Sequence, residues 1–195
     1  MAVDVMEPEA QVGTGPWTRE FYHQLIATGH FDGVPVELLE GELVVVAPIR
    51  EPHAQAVDII AWALDRALLR SFGEVYRVRQ EKPFAASTRS EPEPDIMVID
   101  ASAASWRAPD HPATAHLLVE VADSSLTIDL GRKARVYAAA GAPLYWVVDL
   151  RHERVVVHTR PDQQLGPGYA DVQTVPFTAE LTVLGITLRL SEVLS

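Results

Sequence analysis

The run HLLVEVA (116–122) constrains this chain more than any other segment. Its apolar, branched composition reads as a β-strand. Side chains on a strand alternate, so Leu118, Glu120 and Ala122 share one face, and Leu117, Val119 and Val121 the other. A lone carboxylate among such neighbours is costly unless it is paired or bound to a cation. Glu120 therefore lies on an exposed edge or outward face, or it is a metal ligand.

The flanking segments define the fold class. WTREFYHQLIAT (17–28) has the pattern of a short amphipathic helix capped by Thr18. VELLEGELVVVAP (36–48) is a hairpin about Glu40-Gly41. Residues 53–71 place Val57, Ile60, Ala61, Leu64 and Leu68 on one helical face. Strands are expected at 74–80, 95–100, 144–150 and 154–160, with further strand-like runs at 171–177 and 181–190. Residues 85–94, 101–115 and 123–131 read as connectors, and RKARVYAAAG (132–141) as a short helix stopped by Gly141 and Pro143. The order predicts an α/β fold with a central mixed β-sheet flanked by helices, preceded by an N-terminal helix and a β-hairpin. At 195 residues, it suits a single domain over 16–195 behind a flexible arm, 1–15.

Composition narrows the function. The absence of cysteine excludes a disulfide scaffold, a thiolate zinc site and a cysteine nucleophile. Sixteen basic residues against 27 acidic ones give a net charge of −11, so there is no general basic coat for nucleic acid. A carboxylate site can still meet phosphate through a divalent cation. The acidic first 16 residues do not resemble a secretory signal, and no apolar run is long enough for a bilayer, so a cytoplasmic location and no membrane contact are expected.

Asp95 opens the strand at 95–100, 25 residues before Glu120. If the two strands pair antiparallel as neighbours, the two acids approach each other. Adjacent carboxylates repel unless a hard cation such as Mg²⁺ lies between them. Lys133 would complete the set. It is one of two lysines among 16 basic residues, a hint of a point charge that arginine does not replace. Taken alone, Asp95 is equally a strand-entry residue after Pro94, and Lys133 a solvated helix residue.

At these residues the chain resembles the Uma-two family of putative restriction endonucleases, within the PD-(D/E)XK nuclease superfamily. The matching stretches are VELLEGELVVVAP followed by His53, EPDIMVID (93–100), LLVEVADSS, and DLGRKARVYAAAGAPLYWVVDL. The resemblance implies a restriction-endonuclease-like core and Mg²⁺- or Mn²⁺-dependent hydrolysis of DNA phosphodiesters by metal-activated water. It assigns Asp95 and Glu120 as metal ligands, with the Val121 carbonyl as a third. The superfamily's usual lysine position holds Ala122, and Lys133 from the following helix would take its role. Glu42 (as Gly41-Glu42) and His53 complete the implied catalytic set.

For Glu42 the other reading is an outward hairpin residue, and for His53 a polar residue near a helix start. Asp129 either faces the site or caps the 132–141 helix, the cap being the preferred reading; Tyr137, Tyr145 and Trp146 read as core, and His152 and His158 as surface residues. Two other functions stay open. One is a nuclease fold kept as a binding or regulatory module without turnover. The other is an interaction protein that forms a homodimer through a sheet edge or the Tyr145/Trp146 region. Arg77 and Arg79, with Arg132 and Arg135, are candidates for a local basic rim.

Overall fold

The computed structural model describes residues 11–15, 17–46, 50–105, 107–108, 110–162 and 168–195. At its centre is a six-stranded sheet in the order β4-β5-β6-β7-β8-β9. The strands are β4 (Tyr76–Gln80), β5 (Ile96–Asp100), β6 (Leu117–Ala122), β7 (Leu144–Asp149), β8 (Arg154–Asp162) and β9 (Gly168–Pro176). Among the described strands, only β6 and β7 pair in parallel. A parallel pair needs a crossover, and residues 123–143 supply it with a helical segment.

Each face of the sheet has its own core. Leu117, Val119 and Val121 pack beneath the long helix α2 (Glu51–Phe72), against Val57, Ile60, Ala61, Leu64 and Leu68. This is the helical face expected from the spacing. The C-terminal hairpin of β10 (Leu181–Val183) and β11 (Ile186–Leu188), followed by α5 (Leu190–Val193), closes the same core. Its Leu184-Gly185 turn splits the run expected as one strand, since both residues have positive φ. Leu118 and Ala122 face the opposite core with Tyr137, Tyr145 and Val147.

A smaller three-stranded sheet of β1 (Gln11–Thr14), β3 (Glu42–Val45) and β2 (Val36–Leu39) packs with α1 (Arg19–Ala27). Thr18 caps α1 as expected, its hydroxyl accepting from the Phe21 N–H. Glu40 and Gly41 both take positive φ, the two-residue turn anticipated from the sequence. The φ of +79° at position 41 favours glycine, and the Arg89 guanidinium lies over the space a Cβ would take. Of the expected arm, residues 1–10 lie outside the described residues. Residues 11–14 form a strand paired with β3. No helix among the described residues is long and apolar enough to cross a membrane.

Three expectations need correction. Residues 123–131 are not all loop: α3 (Leu126–Ile128) runs into a π-helical turn (Asp129–Lys133) and then α4 (Ala134–Ala139). His158 is buried, in contact with Tyr145 and Tyr169, although an alternating strand would tolerate it outside. Tyr145 and Trp146 are fully buried, so they offer no docking surface.

Candidate functional site

The antiparallel pairing of β5 and β6 sets Ile96 opposite Val119, so Asp95 falls beside the Glu120 end of β6. The Val121 N–H donates to Asp95 Oδ2 at 2.6 Å and fixes that carboxylate. Glu120 is 3% exposed, which removes the exposed-edge reading. Its Oε1 accepts from Lys133 Nζ at 3.0 Å and from the Tyr137 hydroxyl at 2.6 Å.

The crossover explains the inward lysine. Asp129, Lys133 and Tyr137 follow each other at four-residue intervals and lie on one buried face of the helical segment. The wider π-helical turn begins at Asp129 and ends at Lys133, a local geometry that recurs at functional sites. Asp129 does not act as a simple surface cap. It is 1% exposed, and its Oδ2 accepts from the Ser125 hydroxyl at 2.5 Å.

The hairpin adds a residue that the sequence reading passed over. Glu37 on β2 is buried, and its Oε1 accepts from Lys133 Nζ at 3.2 Å. The signal was available: Glu37 stands in an apolar strand, as Glu120 does. Glu42 lies at the rim, where its carboxylate takes Arg132 at 2.7 Å. His53, at the start of α2, places Nε2 3.1 Å from Asp95 Oδ1, without hydrogen-bond alignment. Arg132 and Arg135 both pair with Glu40, so neither is an unopposed member of a basic rim.

Four carboxylates (Glu37, Asp95, Glu120 and Asp129) thus surround one ammonium, an excess of three negative charges if all are ionised. Burial raises the Asp95 pKa, the Glu120 charge adds to this, and Lys133 and the Val121 N–H oppose it. Burial likewise pushes Glu120 up to about 8 and Asp129 up to about 7, again opposed by Lys133. Burial alone would lower the Lys133 pKa, but Glu120, Glu37, Asp129 and Asp95 together outweigh it and hold the amine charged. His53 is lowered by burial and is neutral at pH 7.

Glu120 and Asp129 bind protons more tightly when folded than when unfolded. The stability linked to this is complete below the ordinary carboxylate range and is lost as pH rises through about 7 and about 8. The metal-free protein should melt roughly 5–10 °C lower at about pH 8.5 than at about pH 6. An unchanged or higher melting temperature at the alkaline pH contradicts a buried charge excess.

The donor chemistry suits a hard cation. Glu37 Oε2 and Asp129 Oδ1 are buried without a hydrogen-bond partner among the described residues, and both are acceptor-only oxygens. No three of the four carboxylates bring donor atoms within 4.8 Å of one another, because Lys133 sits among them. Mg²⁺ tolerates this, since it is commonly held by one or two carboxylates and retains several waters.

The fold is similar to that of a crystal structure titled as a putative nuclease belonging to DUF820 from Anabaena variabilis. The TM-score is 0.59 at 14% identity, over 81% of this chain and 88% of that one. No curated protein matches the chain. The Uma2 model, described as putative restriction endonuclease, matches residues 19–191. With nearly all of its length matched, and with the carboxylate–lysine cluster inside that span, the chain belongs to the Uma2 family.

Proposed function

We propose that this chain is a metal-dependent endonuclease that hydrolyses phosphodiester bonds of DNA. The observation that supports this most is the buried cluster of four carboxylates about Lys133. Asp95 and Glu120, with the Val121 carbonyl, would hold Mg²⁺ or Mn²⁺. The bound ion supplies Lewis-acid polarisation of a phosphoryl oxygen and makes water more acidic.

The protein groups supply orientation and charge. Lys133 and Tyr137 converge on Glu120 Oε1 and fix its carboxylate plane. The Val121 N–H does the same for Asp95. The Lys133 ammonium offers positive charge to the phosphate oxygens as the transition state forms. Neutral His53 offers Nε2 to receive the proton released when water adds to phosphorus. Glu42 steadies Arg132, the residue preceding Lys133.

DNA would approach along the cleft of about 380 Å³ lined by Asp58, Arg79, Gln80, Glu81 and Lys82. It adjoins Asp95, whose carbonyl accepts from the Glu81 N–H. Two cations there, on a chain of net charge −11, support modest duplex affinity that falls steeply with salt. Plasmid nicking with Mg²⁺, absent in chelator, is the direct test. Equal products with and without chelator would remove the metal-dependent reading.

One observation favours a second reading, a nuclease fold that binds without turnover. The arginines flanking Lys133 are engaged by Glu40 and Glu42. Titration calorimetry with Mg²⁺ and Mn²⁺ separates the two: a complete lack of binding supports the inactive module.

A further inference from the structure

We propose that His23, Glu91 and His111 form a second metal site, which takes a divalent ion of the Zn²⁺ class. Their donor atoms all lie within 4.8 Å of one another, and among the described residues no other group of three such side chains does so. They come from three separate segments: α1, the segment that bridges to β2, and the long 101–115 connector. The His23 and His111 rings meet edge-on, with centroids 5.9 Å apart. His23 Nε2 lies 2.6 Å from Glu91 Oε1.

The carboxylate is prepositioned. Glu91 is buried, and its N–H donates to the Leu38 carbonyl at 2.7 Å. Arg19 holds Oε2 at 2.5 Å, which leaves Oε1 facing the His23 imidazole. Arg19 also takes Asp110, and Asp110 in turn accepts from the His111 backbone N–H. The Arg19 contact is an outer contact of the kind that orients a ligating carboxylate.

Two imidazoles and one carboxylate suit zinc, with a fourth position for water. Mg²⁺ prefers oxygen alone, so the two sites should sort metals by chemistry. A cavity of about 400 Å³, lined by His23, Arg79, Ser105, Asp110 and His111, gives the fourth ligand room. The bound ion would clasp α1 to the 101–115 connector.

The test uses the full, untagged, metal-stripped chain. Co²⁺ should give visible ligand-field bands at one equivalent, and Zn²⁺ should displace it. His23→Ala and His111→Ala should each weaken Zn²⁺ binding by more than about 100-fold, beyond the usual effect of losing an outer partner. Asp95→Asn should retain it. Saturating Zn²⁺ should raise the melting temperature by roughly 5–10 °C in the parent and not in His111→Ala. His111 lies on a connector, so that variant decides the matter if His23→Ala fails to fold. Absent Co²⁺ bands, or Zn²⁺ affinity unchanged in His111→Ala, would overturn the site and leave an ordinary ion-pair network. Zn²⁺ binding lost in Asp95→Asn but kept in His111→Ala would assign the ion to the Lys133 cluster and overturn it equally.

Discussion

Asp95→Asn and Glu120→Gln should each lower Mg²⁺-dependent plasmid cleavage by roughly 10³-fold or more while leaving the fold intact. The amide oxygen at position 95 can still accept from the Val121 N–H, and that at 120 can still accept from Lys133 and Tyr137. What each variant removes is negative charge, the property a divalent cation needs and the property that removing a preorganised electrostatic group makes costly to catalysis. Each also relieves the repulsion that builds in the cluster as its acids ionise. The metal-free variants should therefore melt no lower than the parent at about pH 8, the trade of activity against stability seen at strained sites. Thermal melts beside cleavage assays check both halves. Full activity in either variant removes that residue from the site.

Lys133→Met should have the opposite sign for stability. Lys133 is 6% exposed and pairs with Glu37 and Glu120. Removing one partner of a buried ion pair strands the other charges, typically at about 3–5 kcal/mol. For a chain of this length that corresponds to a fall of roughly 10 °C or more in melting temperature. Cleavage should also be lost. Lys133→Arg should restore little of either, because a planar fork cannot occupy the space of a compact ammonium between two carboxylates. A Lys133→Met protein as stable as the parent at about pH 8.5, above the values of about 7 and about 8 at which Asp129 and Glu120 ionise, would contradict the charge account.

Much of the architecture was legible because burial obeys periodicity. The α2 face and the two faces of β6 were read correctly from spacing alone. The antiparallel approach of Asp95 to Glu120 followed from a connection long enough to return the chain beside itself. The helical start at Leu126 was hidden, since DSSLTIDLG carries turn-forming residues and a glycine. Tertiary burial of Asp129 and Lys133 overrides that local preference.

The site was only partly legible. Glu120 and Lys133 drew notice as charges out of pattern, yet Glu37 obeys the same logic from the hairpin. Asp129 resembled a cap because sequence cannot show that a π-helical turn rotates it inward. Tyr137 was read as core, and it is buried, but its hydroxyl is also a ligand to Glu120. His158 shows the converse: a polar residue on a strand that the fold buries beneath two tyrosines.

The central claim is that the acids brought together by β5 and β6 share a divalent cation. Crystals soaked in Mn²⁺ and measured for anomalous scattering test it most directly. A peak about 2–2.3 Å from carboxylate oxygens of both Asp95 and Glu120 is the predicted result. Clear density for both side chains with no peak between them, or with the ion only at His23, Glu91 and His111, would contradict it.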